Sequence, residues 1–228
     1  MRMSELSERS GVAVPSIKFY LREALLPPGE YSSPNQASYS DEHVQRLRLV
    51  RALIDVGGLS VSAVRTVLAA IDDTALPLDW AFGLAQHAIP VGVVEEEFDD
   101  TARGSREVQA ALSEAGWQIS ARNPGRAMSA RVVDSYERLG HERLIHVLPA
   151  YMRAAEIVAE ADLSAVADAP DRAAMVETVV VGTVLGDTLF AGLRRMAQER
   201  VSDRYFPAPT GAVPPTELEC DDDEEGTS

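Results

Sequence analysis

Glycine and proline residues divide the first 71 residues into short segments, and the pattern of these segments is typical of a small helical domain. Val14 begins an apolar series that recurs at spacings of three and four residues, as on one face of a helix, and Pro27-Pro28-Gly29 ends it. Gly11 closes a shorter helix before it, and residues 41–56 and 61–71 repeat the helical pattern after it. The order predicts a winged helix-turn-helix, although a four-helix adaptor without nucleic acid has the same pattern.

Residues 30–39 separate the two helical pairs and are rich in Ser, Pro, Asn and Gln. Tyr31 and Tyr39 stand at the ends of this segment. Aromatic residues flanking a polar, turn-forming centre indicate a short two-stranded wing with a polar tip.

The charge of the chain is distributed unevenly. The net charge is −15, yet the first 70 residues contain eight Lys or Arg against seven Asp or Glu, and all the excess acid lies behind them. Phosphate contacts dominate the affinity of DNA-binding proteins, so only the front of this chain is suited to contact DNA.

The chain after Pro77 is also predicted to be helical. Residues 94–115 contain a heptad seam, and either a dimer coil or two shorter helices packed within one chain would explain it. The seam residues are Val94, Phe98, Thr101, Ser105, Val108, Leu112 and Ala115. Further helices are expected at 125–139, 141–161 with a kink at Pro149, and 170–204.

The predicted fold class is mainly α: a winged helix-turn-helix with a two-stranded wing, followed by an all-helical C-terminal domain. We predict a DNA-binding domain over residues 1–73 and a linker with dimerisation helices over 74–120. An effector-binding or dimerisation domain is predicted over 121–206. The acidic, proline-rich residues 207–228 are predicted to be a disordered tail.

Several segments of the first 71 residues resemble the MerR family of bacterial regulators. They are Val12-Ala13-Val14-Pro15-Ser16-Ile17-Lys18-Phe19-Tyr20, Leu25-Leu26-Pro27-Pro28, Ala37-Ser38-Tyr39-Ser40-Asp41-Glu42-His43-Val44, Leu47-Arg48-Leu49-Val50-Arg51-Ala52-Leu53 and Gly57-Gly58-Leu59-Ser60. The resemblance implies a homodimer, held by an antiparallel helix pair behind the head, that binds inverted repeats in double-stranded promoter DNA. It also implies that the dimer distorts the promoter for RNA polymerase in response to an effector.

The DNA-binding residues are predicted from the helical wheel together with this resemblance. In the recognition helix, Ser16, Phe19 and Tyr20 are expected to lie opposite the apolar face and to point toward DNA. The full prediction is Ser16, Lys18, Phe19, Tyr20, Arg22, Asn35, Gln36, Tyr39 and Arg48. The wing departs from the family, since Gln36-Ala37 stand where Tyr-Arg is usual, so the wing is expected to anchor more weakly.

The effector site is the least constrained prediction. A small organic effector is expected in an apolar pocket of the helical domain, although ordinary core packing explains the same aromatic residues. The predicted ligand-binding residues are Trp80, Trp117, Tyr136, His146, Tyr151 and Asp187, with Phe82, Phe190 and His141 as further candidates.

Other function classes are disfavoured by what the sequence lacks. The N-terminus has no signal peptide and no stretch of 18 uncharged apolar residues occurs, so a cytoplasmic protein without membrane contact is expected. The lone Cys220 and the spacing of His141 and His146 argue against a metal site, and no cofactor is expected. The sequence contains no phosphate-binding loop and no nucleophile elbow, so an enzyme is not expected. The alternative is a helical protein that sequesters a ligand or partner and has a vestigial DNA-binding head.

Overall fold

The computed structural model describes residues 1–33, 36–73, 75–89 and 101–207, and these are mainly helical. The helices are α1 Met3–Ser10, α2 Val14–Arg22, α3 Asp41–Arg51, α4 Val61–Asp72, α5 Leu78–Ala88, α6 Arg103–Ala115, α7 Pro124–Arg138, α8 Leu148–Ala167 and α9 Arg172–Tyr205. The strands are β1 Glu30–Ser33 and β2 Gln36–Ser38. A π-helical turn, Ala52–Val56, follows α3, and a 3₁₀ turn, Glu142–Val147, precedes α8. The predicted fold class is confirmed.

The turn between α1 and α2 is built from short local bonds. Gly11 has φ 71°, a left-handed conformation that costs other residues energy, and its N–H donates to the Ser7 carbonyl at 3.0 Å. The Ser7 hydroxyl also donates to the carbonyl of Val12 at 2.6 Å. These bonds fix the direction in which α2 leaves α1.

The wing has the predicted form. Strand β1 pairs antiparallel with β2, with Glu30 opposite Ser38, and a register shift follows Tyr31. Such irregularities bend and twist a two-stranded ribbon. The predicted hairpin over residues 30–39 is therefore confirmed in its strands, while its tip at residues 34 and 35 lies outside the described residues.

The head, residues 1–73, shares its hydrophobic core with the last helix. Val176, Val179, Val180 and Val184 of α9 are buried in the same cluster as Leu53 of the head. A Cβ placed on Gly57 would overlap the Val184 side chain, so only glycine allows this approach. The C-terminal helix is thus a structural part of the head's core.

A second, smaller core joins α6 to α7. Val108 and Leu112, two residues of the predicted heptad seam, pack against Ala130 and Val133. The Gly104 N–H donates to the Asp134 carboxylate at 2.7 Å. Over residues 103–115 the apolar side of the seam is covered by α7 of the same chain. The dimer-coil alternative is therefore wrong for this segment. Residues 94–100 lie outside the described residues.

Helices α7 and α9 lie within two residues of the bounds predicted for them, 125–139 and 170–204. The helix predicted over 141–161 is shifted: α8 begins seven residues later and ends six residues later, and the 3₁₀ turn Glu142–Val147 precedes it. Pro149 occupies the first turn of α8, where its missing N–H costs nothing, so it starts this helix instead of kinking one. Internal contacts divide the chain into two units, Met1–Thr188 and Leu189–Ser228, and the boundary falls within α9. The bounds predicted from the sequence for the DNA-binding domain, the linker, the effector-binding domain and the tail stay predictions.

One helix in the described chain, α9, is long and apolar enough to cross a membrane by length and composition. The core helix of a soluble protein meets the same criterion, and four valines of α9 lie in the head's core.

Candidate nucleic-acid interface

Helix α2 presents one side to the core and the other to solvent. Pro15 stands in its first turn, where it fits without losing a helical hydrogen bond. Ile17 is fully buried, whereas Lys18 and Arg22 are exposed. Ser16 and Phe19 are half-buried at the edges of the exposed side. Four of the five predicted contacts on this helix therefore border solvent.

The fifth residue, Tyr20, lies on the core side with 7% of its surface exposed, so its predicted orientation is wrong. The chain folds back over it: the N–H groups of Leu25 and Leu26 both donate to the Tyr20 carbonyl. Ala24 reaches this turn with φ 56°, which carries the two leucines into the core. The buried side of α2 thus runs through Ile17 and Tyr20.

The cations of the head differ in whether a carboxylate neutralises them. Within the described residues, Arg9, Arg46, Arg51 and Arg65 each form an ion pair with an Asp or Glu. Lys18 and Arg22 have no ion pair in that part of the chain. The Arg22 guanidinium instead lies 6.0 Å from the centre of the Phe19 ring, which holds it over the helix surface. The uncompensated positive charge of α2 therefore faces solvent.

The end of α2 is itself fixed by an ion pair. Arg65 of α4 donates to the Glu23 carbonyl at 2.9 Å and to the Glu23 carboxylate at 2.6 Å. A guanidinium bound at two points defines both position and direction. This contact sets the orientation of α2 relative to the second helical pair.

Arg48 is exposed on α3, as its predicted role requires. It donates to the backbone carbonyl of Arg9 at 3.3 Å, and Arg9 pairs with Asp41 at 2.7 Å. The Arg48 guanidinium thus reaches the backbone at the end of α1, while the Arg9 guanidinium pairs with the start of α3. No sequence motif points to Arg9, because it is brought close to Arg48 only by the packing of α1 on α3.

The wing residues divide between surface and core. Gln36 is exposed, and Asn35 lies outside the described residues. Tyr39 is only 7% exposed, and its ring meets the His43 ring edge-to-face at 5.2 Å. The Ser40 N–H donates to Nδ1 of His43 at 3.1 Å, which caps the start of α3. Tyr39 is therefore a core residue at the base of the wing, contrary to its predicted place on the DNA-facing surface.

The residues predicted for the effector site are dispersed. Trp80 is 63% exposed on α5 and Tyr151 is 41% exposed on α8, so the expected apolar enclosure is wrong for both. Trp117 packs against the core between α6 and α7, as the alternative of ordinary core packing predicts. Tyr136 is half-buried and His146 is exposed.

Asp187, predicted to lie in the apolar effector pocket, is an exposed residue of α9. Partial desolvation of its carboxylate and the negative charge of Asp162 raise its pKa above the ordinary value. Its neighbour Thr188 donates to the Val56 carbonyl at 3.4 Å.

A polar groove of about 500 Å³ lies along α6, and none of the predicted aromatic residues lines it. Its lining residues are Ser105, Arg106, Gln109, Ala110, Ser113 and Arg126. The described residues contain no group of three or more His, Cys, Asp or Glu side chains that could hold a metal ion.

Comparison with known proteins agrees with this geometry. Residues 1–71 match the family model described as MerR HTH family regulatory protein. A Haemophilus influenzae protein named "HTH-type transcriptional regulator ZntR homolog" is 29% identical over 68 residues, which are 30% of this chain and 50% of that protein. The chain thus aligns with about half the length of this curated relative.

The similarity to one solved structure extends over nearly the whole chain. The "putative transcriptional regulator SCO5550" from Streptomyces coelicolor A3(2) is 33% identical with a TM-score of 0.68. The match covers 92% of this chain and 99% of that one. The chain belongs to the MerR family of helix-turn-helix transcriptional regulators.

Proposed function

We propose that this protein is a cytoplasmic, non-enzymatic transcriptional regulator that binds promoter DNA as a homodimer through α2. The observation that carries the proposal is the pair of exposed cations, Lys18 and Arg22, on the solvent side of the second helix of a helix-turn-helix. Four arginines of the head, Arg9, Arg46, Arg51 and Arg65, are instead paired with carboxylates. Cations without an intramolecular partner keep their full charge for phosphates and base edges.

The recognition helix supplies both kinds of DNA contact in this proposal. Ser16, at the start of α2, is placed for a base edge or a phosphate, as the N-terminal residues of recognition helices are. Lys18 is assigned to the backbone, because an ammonium group lacks the planar fork that reads guanine. Arg22 and Arg48 extend the phosphate contacts on either side.

The wing is secondary in this proposal. Gln36 is an exposed polar residue of β2, and Tyr39 lies in the core at the base of the wing. A neutral amide adds hydrogen bonds but little counterion release. Binding is therefore expected to depend on α2 more than on the wing.

The acidic remainder of the chain is expected to orient the protein as it approaches DNA. Excess negative charge lies behind residue 70, so DNA is attracted to the head and repelled from the body. Two heads would bind the half-sites of an inverted repeat about 34–36 Å apart, one turn of the double helix. The bound dimer would then deform the promoter for RNA polymerase.

The effector response is proposed to act through α9. A small organic effector that shifted this helix would disturb Val180 and Val184, which pack in the head's core. Packed cores have discrete arrangements and resist gradual deformation, so such a shift would reach α3 and α2.

Fluorescence anisotropy on the promoter of its own gene tests the proposal, with salt as the variable. The double substitution Lys18→Ala and Arg22→Ala is expected to abolish measurable binding at about 150 mM salt. Lys18→Ala alone is expected to reduce the salt slope by about one for each protomer. Arg51→Ala is the matched control, because it removes an exposed arginine that is already paired with Asp55. Unchanged binding by the double variant would refute the role of α2.

A further inference from the structure

The turn that follows α2 has a strained backbone. Ala24 has φ 56°, a left-handed conformation that is unfavourable for a residue with a Cβ. No other non-glycine residue in the described part of the chain has a positive φ. Such conformations persist only where the surrounding structure holds them, and they concentrate at functional sites. We call residues 23–25 the exit turn and ask what holds it.

Two arginines of the second helical pair bind the carbonyl groups on either side of Ala24. Arg65 of α4 donates to the Glu23 carbonyl at 2.9 Å, and Nε of Arg46 on α3 donates to the Leu25 carbonyl at 3.3 Å. Carbonyl groups at and beyond the end of a helix have no partner within that helix. The two guanidinium groups therefore supply the donors that the exit turn needs.

Carboxylates fix both guanidinium groups in place. Arg65 also donates to the Glu23 carboxylate at 2.6 Å, and Arg46 pairs with Asp72, the last residue of α4. The guanidinium group presents several donors in fixed directions, so one arginine can bind a carboxylate and a carbonyl together. The Arg46 side chain is only 15% exposed, which shields its pair from solvent. The end of α2 is thus joined to both α3 and α4.

We propose that Arg46 and Arg65 are positioning residues for DNA recognition: by holding the exit turn, they set the angle at which α2 meets DNA. This inference rests on the proposed function, in which Lys18 and Arg22 contact DNA. Arg22 directly precedes Glu23, so a rotation of the exit turn displaces its guanidinium group. Binding groups must be held within about 0.5 Å of their productive positions, which requires rigid supporting contacts.

A direct phosphate contact is the alternative role for Arg65, whose side chain is 46% exposed. Its guanidinium group already binds the carboxylate and the carbonyl of Glu23, so a phosphate would have to displace one of them. The two roles differ in their dependence on salt. Losing a phosphate contact lowers the slope of log affinity against log salt by about one, whereas losing a positioning contact leaves the slope unchanged.

Glu23 gives the sharpest test, because charge and position predict opposite results. Glu23→Gln removes a negative charge from the end of the recognition helix, so electrostatics alone would strengthen DNA binding. If the carboxylate acts by holding Arg65 on the exit turn, the same change weakens binding. Fluorescence anisotropy with the full-length protein and the promoter of its own gene is expected to show about 10-fold weaker binding, the loss of roughly one well-placed base contact.

Glu8→Gln is the matched control for this charge change. Glu8 is an exposed residue of α1 and forms no ion pair with any described residue. Its replacement removes the same negative charge from the head without touching the exit turn. The Glu8 variant is expected to bind the promoter at least as tightly as wild type.

The arginine variants test the other side of each contact. Arg46→Gln and Arg65→Gln are each expected to weaken promoter binding about 10-fold with an unchanged salt slope. Combining Glu23→Gln with Arg65→Gln is expected to weaken binding no further than Arg65→Gln alone, because both changes remove the same contact. Arg51→Gln is the control: Arg51 is also 46% exposed but pairs with Asp55, four residues along the chain. It is expected to bind as wild type does.

Hydrogen exchange measures the exit turn directly and needs no DNA. The N–H groups of Leu25 and Leu26 donate to the Tyr20 carbonyl, so both amides are protected while the turn holds. In Arg65→Gln these two amides are expected to exchange about fivefold faster or more, with the amides of α1 unchanged. Thermal melting establishes that each variant is folded at the assay temperature. Glu23→Gln, a change at a surface residue, keeps the test decisive if an arginine variant does not fold.

Three results would overturn the inference. They are equal or tighter promoter binding by Glu23→Gln, unchanged exchange of the two leucine amides in Arg65→Gln, and a salt slope lowered by about one per protomer in that variant. The proposed function survives each of them if the double variant of Lys18 and Arg22 fails to bind DNA. Binding by that double variant would instead refute the proposed function, and with it the role of the exit turn in recognition.

Discussion

Replacing Val180 with Ala tests whether α9 belongs to the head's core. Val180 is 0% exposed and lies in the cluster that contains Leu53 and Val50. The change removes two methyl groups, which lowers the free energy of unfolding by about 1.6 kcal/mol through lost burial. The cavity left behind raises the expected total to about 2–3 kcal/mol, since the surrounding side chains relax only in part.

Urea denaturation followed by circular dichroism measures this loss. Val132→Ala is the matched control, because Val132 is 45% exposed on α7 and its truncation should change stability by less than about 0.5 kcal/mol. Hydrogen exchange identifies the region affected: amides of α3 and the turn Ala52–Val56 are expected to exchange roughly 30-fold faster in the Val180 variant. A loss of stability without faster exchange in these head segments would refute the shared core.

Three further changes address other contacts. Gly104→Ala would place a Cβ against the Ala130 carbonyl oxygen and 2.8 Å from the Asp134 side chain, and is expected to destabilise the α6–α7 pair by about 2 kcal/mol or more, measured by thermal melting. Asp187→Asn is expected to raise the melting temperature at pH 7. The raised pKa means that ionised Asp187, partly desolvated and also repelled by Asp162, destabilises the folded state, so the advantage should vanish as the pH falls toward 4. Ala24→Gly is expected to stabilise by about 1 kcal/mol, since φ 56° suits glycine; a loss of stability would contradict this.

The sequence alone determined where most elements begin and end. Gly11 closes α1, and the helix predicted over residues 125–139 is observed as Pro124–Arg138. Turn residues and apolar spacing act through local backbone geometry, so each segment carries its own information. For the same reason the order of helices and wing predicted a winged helix-turn-helix before any contact was known, while the resemblance to the family came from the residue motifs.

The tertiary structure decided what each apolar face packs against. Tyr20 was expected to face DNA, yet the turn through Ala24 encloses its ring in the core. Val108 and Leu112 have a spacing that suits a dimer as well as a hairpin, and only the position of α7 shows that they pack within the chain. Periodicity specifies that a face is buried but not its partner, because that partner can lie anywhere in the sequence. The packing of α9 in the core of the head, from which it is separated by about a hundred residues of sequence, is therefore decided by the tertiary structure.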